Sequence, residues 1–188
     1  MISILSLNVQ GFNQSSKSKI SKFINFIPDI VCTQEDLKFS DEWLNGYSRI
    51  AFCSAESTLD NNLCNAIYVK PNITIIDSQS YKFTYNNIVD RCFVYVVFSK
   101  NDITYSLVNL HLPGGRFDDK LFTTNIECKN NFINGIFSTV GYPDIILGDF
   151  NGENKFNERL ESYLPYKIGK EIFLYFWSGG HSILEKNG

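Results

Sequence analysis

The sequence predicts an α/β layered domain, and three observations predict it. Residues 2–8 form a short apolar run ending in Asn-Val-Gln-Gly, a strand entering a loop. Ile20, Phe23, Ile24 and Ile27 then fall at helical spacing behind the N-cap candidates Ser15 and Ser16, with Pro28 closing the helix. "DIVCTQED" follows as a second buried strand, which completes a strand–helix–strand opening.

The middle of the chain is strand-rich. "SRIAFC", "NAIYVK", "ITIIDS", "RCFVYVVFS" and "ITYSLVNLHL" carry β-branched or aromatic residues between turns such as "KPN" and "SKND". The last two predict a hairpin around Ser99 to Asp102. From about Lys120 to Val140 the spacing returns to helical, with Phe122, Ile126, Ile133 and Phe137 on one face. "PDIILGDFN" reads as a strand ending in a polar loop, and "KFNERLESYL" as another short helix.

Bulk properties narrow the classes. The 188 residues suit one domain over 1–188, and 44% hydrophobic with 20% charged residues exclude a disordered chain. A formal net charge of −3 and a pI near 5.4 provide no global basic field for long duplexes, although a bound divalent cation can supply positive charge locally. The five cysteines form no CxxC pair, so they read as buried free thiols in a reducing compartment. With no signal-peptide pattern and no apolar run of about 20 residues, an intracellular setting without a membrane segment is expected.

Four strand ends carry the chemistry: "LSLNVQ", "CTQED", "VNLHLPGG" and "ILGDFN". They deliver Asn8, Glu35, His111, and Asp149 with Asn151 to a rim, where rigid scaffolds place reactive side chains. A hard ion such as Mg²⁺, or Mn²⁺ in its place, takes few carboxylates and several waters. Glu35 supplies a carboxylate and Asn8 a neutral oxygen, while Asp149 can orient or deprotonate water. Asn151 and His111 are placed to steady charge on a phosphoryl group. With no Ser or Cys nucleophile beside a base and no Walker-type loop, metal-assisted phosphoryl hydrolysis remains.

The ordered series "SLNVQG", "TQED", "NLHLPGG" and "LGDFN" resembles the successive motifs of the endonuclease/exonuclease/phosphatase superfamily. The resemblance runs from residue 2 to about residue 151. It implies a four-layer α/β sandwich, two mixed β-sheets packed face to face with helices outside. It assigns Asn8 and Glu35 to the metal region, Asp149 and Asn151 to nucleophile positioning and phosphate orientation, and His111 to the scissile phosphate. Arg116, in "GGRFDD", becomes a candidate substrate contact. The implied activity is Mg²⁺-dependent phosphodiester hydrolysis with nucleic acid as substrate. Inositol or other small phosphate esters, or an inactive binding relative, are the alternatives.

The family closes on a Ser-Asp-His segment that this sequence lacks. His181 has no preceding aspartate, and "HSILEKNG" reads as a helix starting near Ser182 or Ile183 and capped by Gly188. On that reading the chain lacks a C-terminal portion, and the closing strand would lie beyond it.

Overall fold

A computed structural model describes residues 2–12, 28–37, 44–54, 63–85, 89–112, 119–151, 166–168 and 181–186. Two mixed sheets form the body. The four-stranded sheet has the order β1-β2-β4-β3, from Ile4–Asn8 (β1), Ile30–Leu37 (β2), Ser48–Cys53 (β3) and Leu63–Val69 (β4). The six-stranded sheet has the order β5-β6-β7-β8-β10-β9. Its strands are Thr74–Tyr85 (β5), Val89–Lys100 (β6), Ile103–His111 (β7), Ile145–Asp149 (β8), Tyr166–Ile168 (β9) and His181–Lys186 (β10). One helix, Asp119–Val140 (α1), connects β7 to β8.

Period-two alternation explains the layering. Val94, Val96, Phe98, Leu107 and Leu147 of one sheet pack against Ile4, Ile30, Cys32, Ile67 and Val69 of the other, so the main core lies between the sheets. The intervening residues Phe93, Val108, Leu110 and Ile146 point the opposite way, onto Phe132, Ile133 and Ile136 of α1. Central strands buried on both faces read as continuous apolar runs, which is why "VNLHL" and "DIILG" were legible as strands. Leu5, Val31, Ala66 and Tyr68 cover the outer face of the four-stranded sheet.

Each sheet contains one parallel pair. β1 runs with β2, Asn8 opposite Gln34, and β7 runs with β8, His111 opposite Asp149. The predicted hairpin between β6 and β7 turns at Asn101 and Asp102, both at positive φ, which matches the twist of the strands it joins.

Two sequence expectations change. His181–Lys186 is a strand and not a helix: it pairs antiparallel with β8, and β9 pairs with it in turn. β10 thereby covers one edge of β8. β5 continues well past "ITIIDS" to Tyr85, paired with β6 along its length. Of the apolar face expected on α1, Ile133 and Phe137 pack in this layer beside Phe132 and Ile136, while the side chains of Phe122 and Ile126 lie outside the described residues. The helices expected over 15–27 and 155–164 lie outside the described residues, as does Arg116.

Candidate active site

The ends of the two parallel pairs meet at one rim. Asn8 of β1 donates its side-chain amide to Glu35 Oε1 at 3.2 Å and to Asp149 Oδ2 at 3.0 Å. One amide thus ties a carboxylate of each sheet to the other. Its own Oδ1 accepts the Gln10 amide at 3.0 Å, an Asx turn that ends β1. Asn8 therefore links the two carboxylates through nitrogen, where the sequence reading had it offering an oxygen.

Glu35 occupies a β-bulge. Thr33 pairs with Ala66 and Asp36 with Cys64, so three steps along β2 match two along β4 and one residue is extra. Glu35 takes a φ of 52°, a left-handed conformation that non-glycine residues adopt only under constraint. Behind it Asp36 is completely buried, accepting from Thr33 Oγ1 at 2.6 Å, Tyr68 Oη at 2.7 Å and the Leu37 amide at 2.7 Å. Burial pushes the Asp36 carboxyl up from its usual range, against the downward pull of those hydroxyls.

Asp149 ends β8 and is buried at 8% exposure. Its Oδ1 accepts the Asn151 amide at 2.9 Å. Asn151, at φ 45°, reaches back with Nδ2 to the Leu112 carbonyl at 2.8 Å and lies 2.9 Å from His111 Nε2. With Asn151 donating, the His111 proton sits on Nδ1. His111 Nε2 is also 3.9 Å from Glu35 Oε1. Gly148 is obligatory in this turn: at φ 140° an added Cβ would stand 1.9 Å from the Leu110 carbonyl oxygen.

Asn8, Glu35, His111, Asp149 and Asn151 are therefore brought together as one constellation. Two contributors escaped sequence reasoning, and a third residue, His181, comes near the site by its backbone alone. Lys129 of α1 is buried and donates to the Asn151 carbonyl, holding the loop from below. Its signal was positional, since it lies three and four residues before Phe132 and Ile133 on the apolar face. Asp36 had no local signal, because an aspartate beside a glutamate reads as solvated charge. The backbone of His181 stands in register with Asp149, which places it at this same rim. Two glycines before a β-branched strand could have marked it.

The donor set is two carboxylates with amide and imidazole nitrogens around them. No group of three or more His, Cys, Asp or Glu side chains forms a metal cage among the described residues. Mg²⁺ does not need one, since it keeps waters and takes one or two carboxylates together with substrate oxygens. Converging Glu35 and Asp149 fit that pattern.

No protein-family model matches the sequence, and no curated protein matches it significantly. Solved structures do. TDP2 from D. rerio, humanized by 14 mutations, superposes with a TM-score of 0.70 at 16% identity, covering 98% of this chain and 82% of that one. An endonuclease/exonuclease/phosphatase family protein from Bacteroides thetaiotaomicron gives 0.62 at 16% identity, covering 98% and 82%. The chain has the endonuclease/exonuclease/phosphatase fold. The mannosyl-6-phosphatase Bt3783 from the same bacterium shares this fold, with a TM-score of 0.63 at 15% identity over 99% of this chain and 85% of its own. Two mixed sheets face to face, with α1 on the outer side of the larger, agree with the sandwich that the motifs implied.

Proposed function

We propose that this chain hydrolyses phosphoesters with Mg²⁺, Mn²⁺ serving in its place, and that its substrate is a phosphodiester in nucleic acid. The observation that carries the reading is the Asn8 bridge, which gathers Glu35 and Asp149 from separate sheets onto one amide. Negative charge concentrated at one point draws in a cation, so the arrangement favours a divalent ion at Glu35 with Asp149 beside it.

Glu35 would hold the ion, with Asn8 fixing the carboxylate's position. Bound there, the ion supplies Lewis-acid charge at the phosphoryl and leaving-group oxygens. Asp149 orients a water and takes its proton as the water oxygen attacks phosphorus and the ester oxygen departs. Substrate binding opens the 2.9 Å contact between Asn151 Nδ2 and His111 Nε2, which frees Asn151, and His111 in the tautomer protonated at Nε2, to donate to the phosphoryl oxygens as charge develops on them. Arg116 remains a candidate contact for a flanking phosphate.

Nucleic acid is favoured by analogy of fold, since D. rerio TDP2 is also known complexed with a single-strand DNA product. The mannosyl-6-phosphatase neighbour supports a second reading, a small phosphate ester. The test is turnover with Mg²⁺ or Mn²⁺ on abasic duplex DNA, single-stranded DNA, poly(A) RNA, a 5′-tyrosyl oligonucleotide, a sugar phosphate and an inositol polyphosphate. Cleavage of one member that is EDTA-sensitive and falls by about 10³-fold in both Glu35→Ala and Asp149→Ala supports the reading. Activity that survives both substitutions overturns it.

A further inference from the structure

We propose that Asp36, Thr33 and Tyr68 are positioning residues that hold Glu35 at the rim by locking the bulge in β2. The inference rests on the reading of Glu35 as the metal-binding carboxylate. Without the bulge, strand alternation from Val31 and Thr33 would put Glu35 on the outer face beside Tyr68 and Asp36 toward the sheet interface. The extra residue reverses this. Asp36 takes the outward slot opposite Cys64, and Glu35 is freed to meet Asn8 and His111.

A bulge with a left-handed glutamate is not the lowest-energy path for the strand, so something must over-determine it. Asp36 does so from both sides. Its Oδ2 ties back across the bulge to Thr33 Oγ1 and sideways to Tyr68 Oη on β4, while Oδ1 holds the next amide, Leu37. Arg49 Nη1 then donates to the Leu37 carbonyl at 3.3 Å, fixing the strand's last residue to β3. A completely buried carboxylate is costly where an apolar residue would pack among Leu5, Val31, Cys64 and Ala66. An apolar residue could not bind Thr33, Tyr68 and Leu37 together. The triad acts on Glu35 through the backbone, without touching the ion or the substrate.

The test uses the whole chain and Mn²⁺ alone, with free Mn²⁺ read by electron paramagnetic resonance and stability read by thermal melting. Tyr68→Phe and Thr33→Val each delete one hydroxyl with little change in shape, and Thr33→Ser restores the donor. Ser106→Ala, which deletes a comparable hydroxyl contact at the far end of β7, is the stability control. The expected result is a roughly 10-fold weaker Mn²⁺ affinity in Tyr68→Phe and Thr33→Val, as for other groups that orient a metal-binding carboxylate. Wild-type affinity is expected in Thr33→Ser and Ser106→Ala at matched stability. Wild-type Mn²⁺ affinity in both hydroxyl-deletion variants, with Glu35→Ala still losing the ion, overturns the positioning role and leaves the metal reading standing. Unchanged affinity in Glu35→Ala overturns the metal reading itself, and the positioning role with it.

Discussion

β1 and β2 run parallel in one sheet, and β7 and β8 run parallel in the other. Both pairs begin with the same latch. Ser3 gives its amide and hydroxyl to Asp29 Oδ2 at 2.8 and 2.9 Å, and the Asp29 amide returns a bond to Ser3 Oγ at 3.0 Å. Ser106 and Asp144 repeat the arrangement at 2.7, 2.7 and 2.9 Å. Both pairs end by presenting a carboxylate at the shared rim. They differ in the backbone device that does so. β8 uses Gly148, whose missing Cβ lets the Leu110 carbonyl approach, whereas β2 uses a bulge held by buried polar contacts. A glycine is one residue; a bulge needs a set of residues spread over two strands.

The comparison breaks first at Gly148. Gly148→Ala must displace backbone, so it is expected to cost at least about 4 kcal/mol or to prevent folding, measured by urea denaturation. A fold that tolerates alanine there within about 1 kcal/mol would show that β8 does not depend on glycine there.

The latches give a smaller effect. Burial alone would raise the Asp29 carboxyl, but the Lys100 ammonium at 2.7 Å and the Ser3 donors outweigh it and hold the pKa at about 2. That lies below the unfolded value of about 3.9, so the stabilisation is complete above pH about 4 and is lost as pH falls toward 2. Its size is about 2 kcal/mol. Asp29→Asn is expected to flatten that acid limb in pH-dependent melting, and an unchanged limb would assign the slope to other carboxylates.

The smallest effect sharpens the contrast at β2. Glu35→Gly relieves a left-handed non-glycine residue and is expected to leave stability unchanged or raise it by about 1 kcal/mol, while Mn²⁺ binding disappears. A clear loss of stability would mean that the glutamate side chain, and not the clamp behind it, maintains the bulge.

This difference also explains what was legible. "LGDFN" revealed Asp149 and Asn151, whereas the role of its glycine emerges only from the Leu110 carbonyl that β7 brings against it. "TQED" revealed Glu35 but not the role of Asp36, since the partners Thr33 and Tyr68 meet it only after β2 and β4 have paired. β10 was misread for the same reason: "HSILEK" is too short for its own periodicity to decide, and pairing with β8 decides it. The second half of β5 alternates polar residues with Tyr81, Phe83 and Tyr85, a pattern that the expected strand "ITIIDS" stopped short of. Local chemistry marked the candidate carboxylates, and long-range pairing sets their supports.

Gln34 and Asn109 face each other between the sheets. Gln34 Nε2 donates to Asn109 Oδ1 at 2.7 Å, and the Asn109 amide donates to the Thr33 and Ala66 carbonyls at 3.0 and 2.9 Å. Apolar layers can slide over one another with little loss of contact, but this polar rivet has only one seat. Glu35 stands on one plate and Asp149 on the other, so a slip of a single residue spacing would dismantle the constellation while leaving each sheet intact. Loss of the Asn8 bridge between Glu35 and Asp149 on heating should then coincide with separation of the plates, an event that can precede the melting of either one.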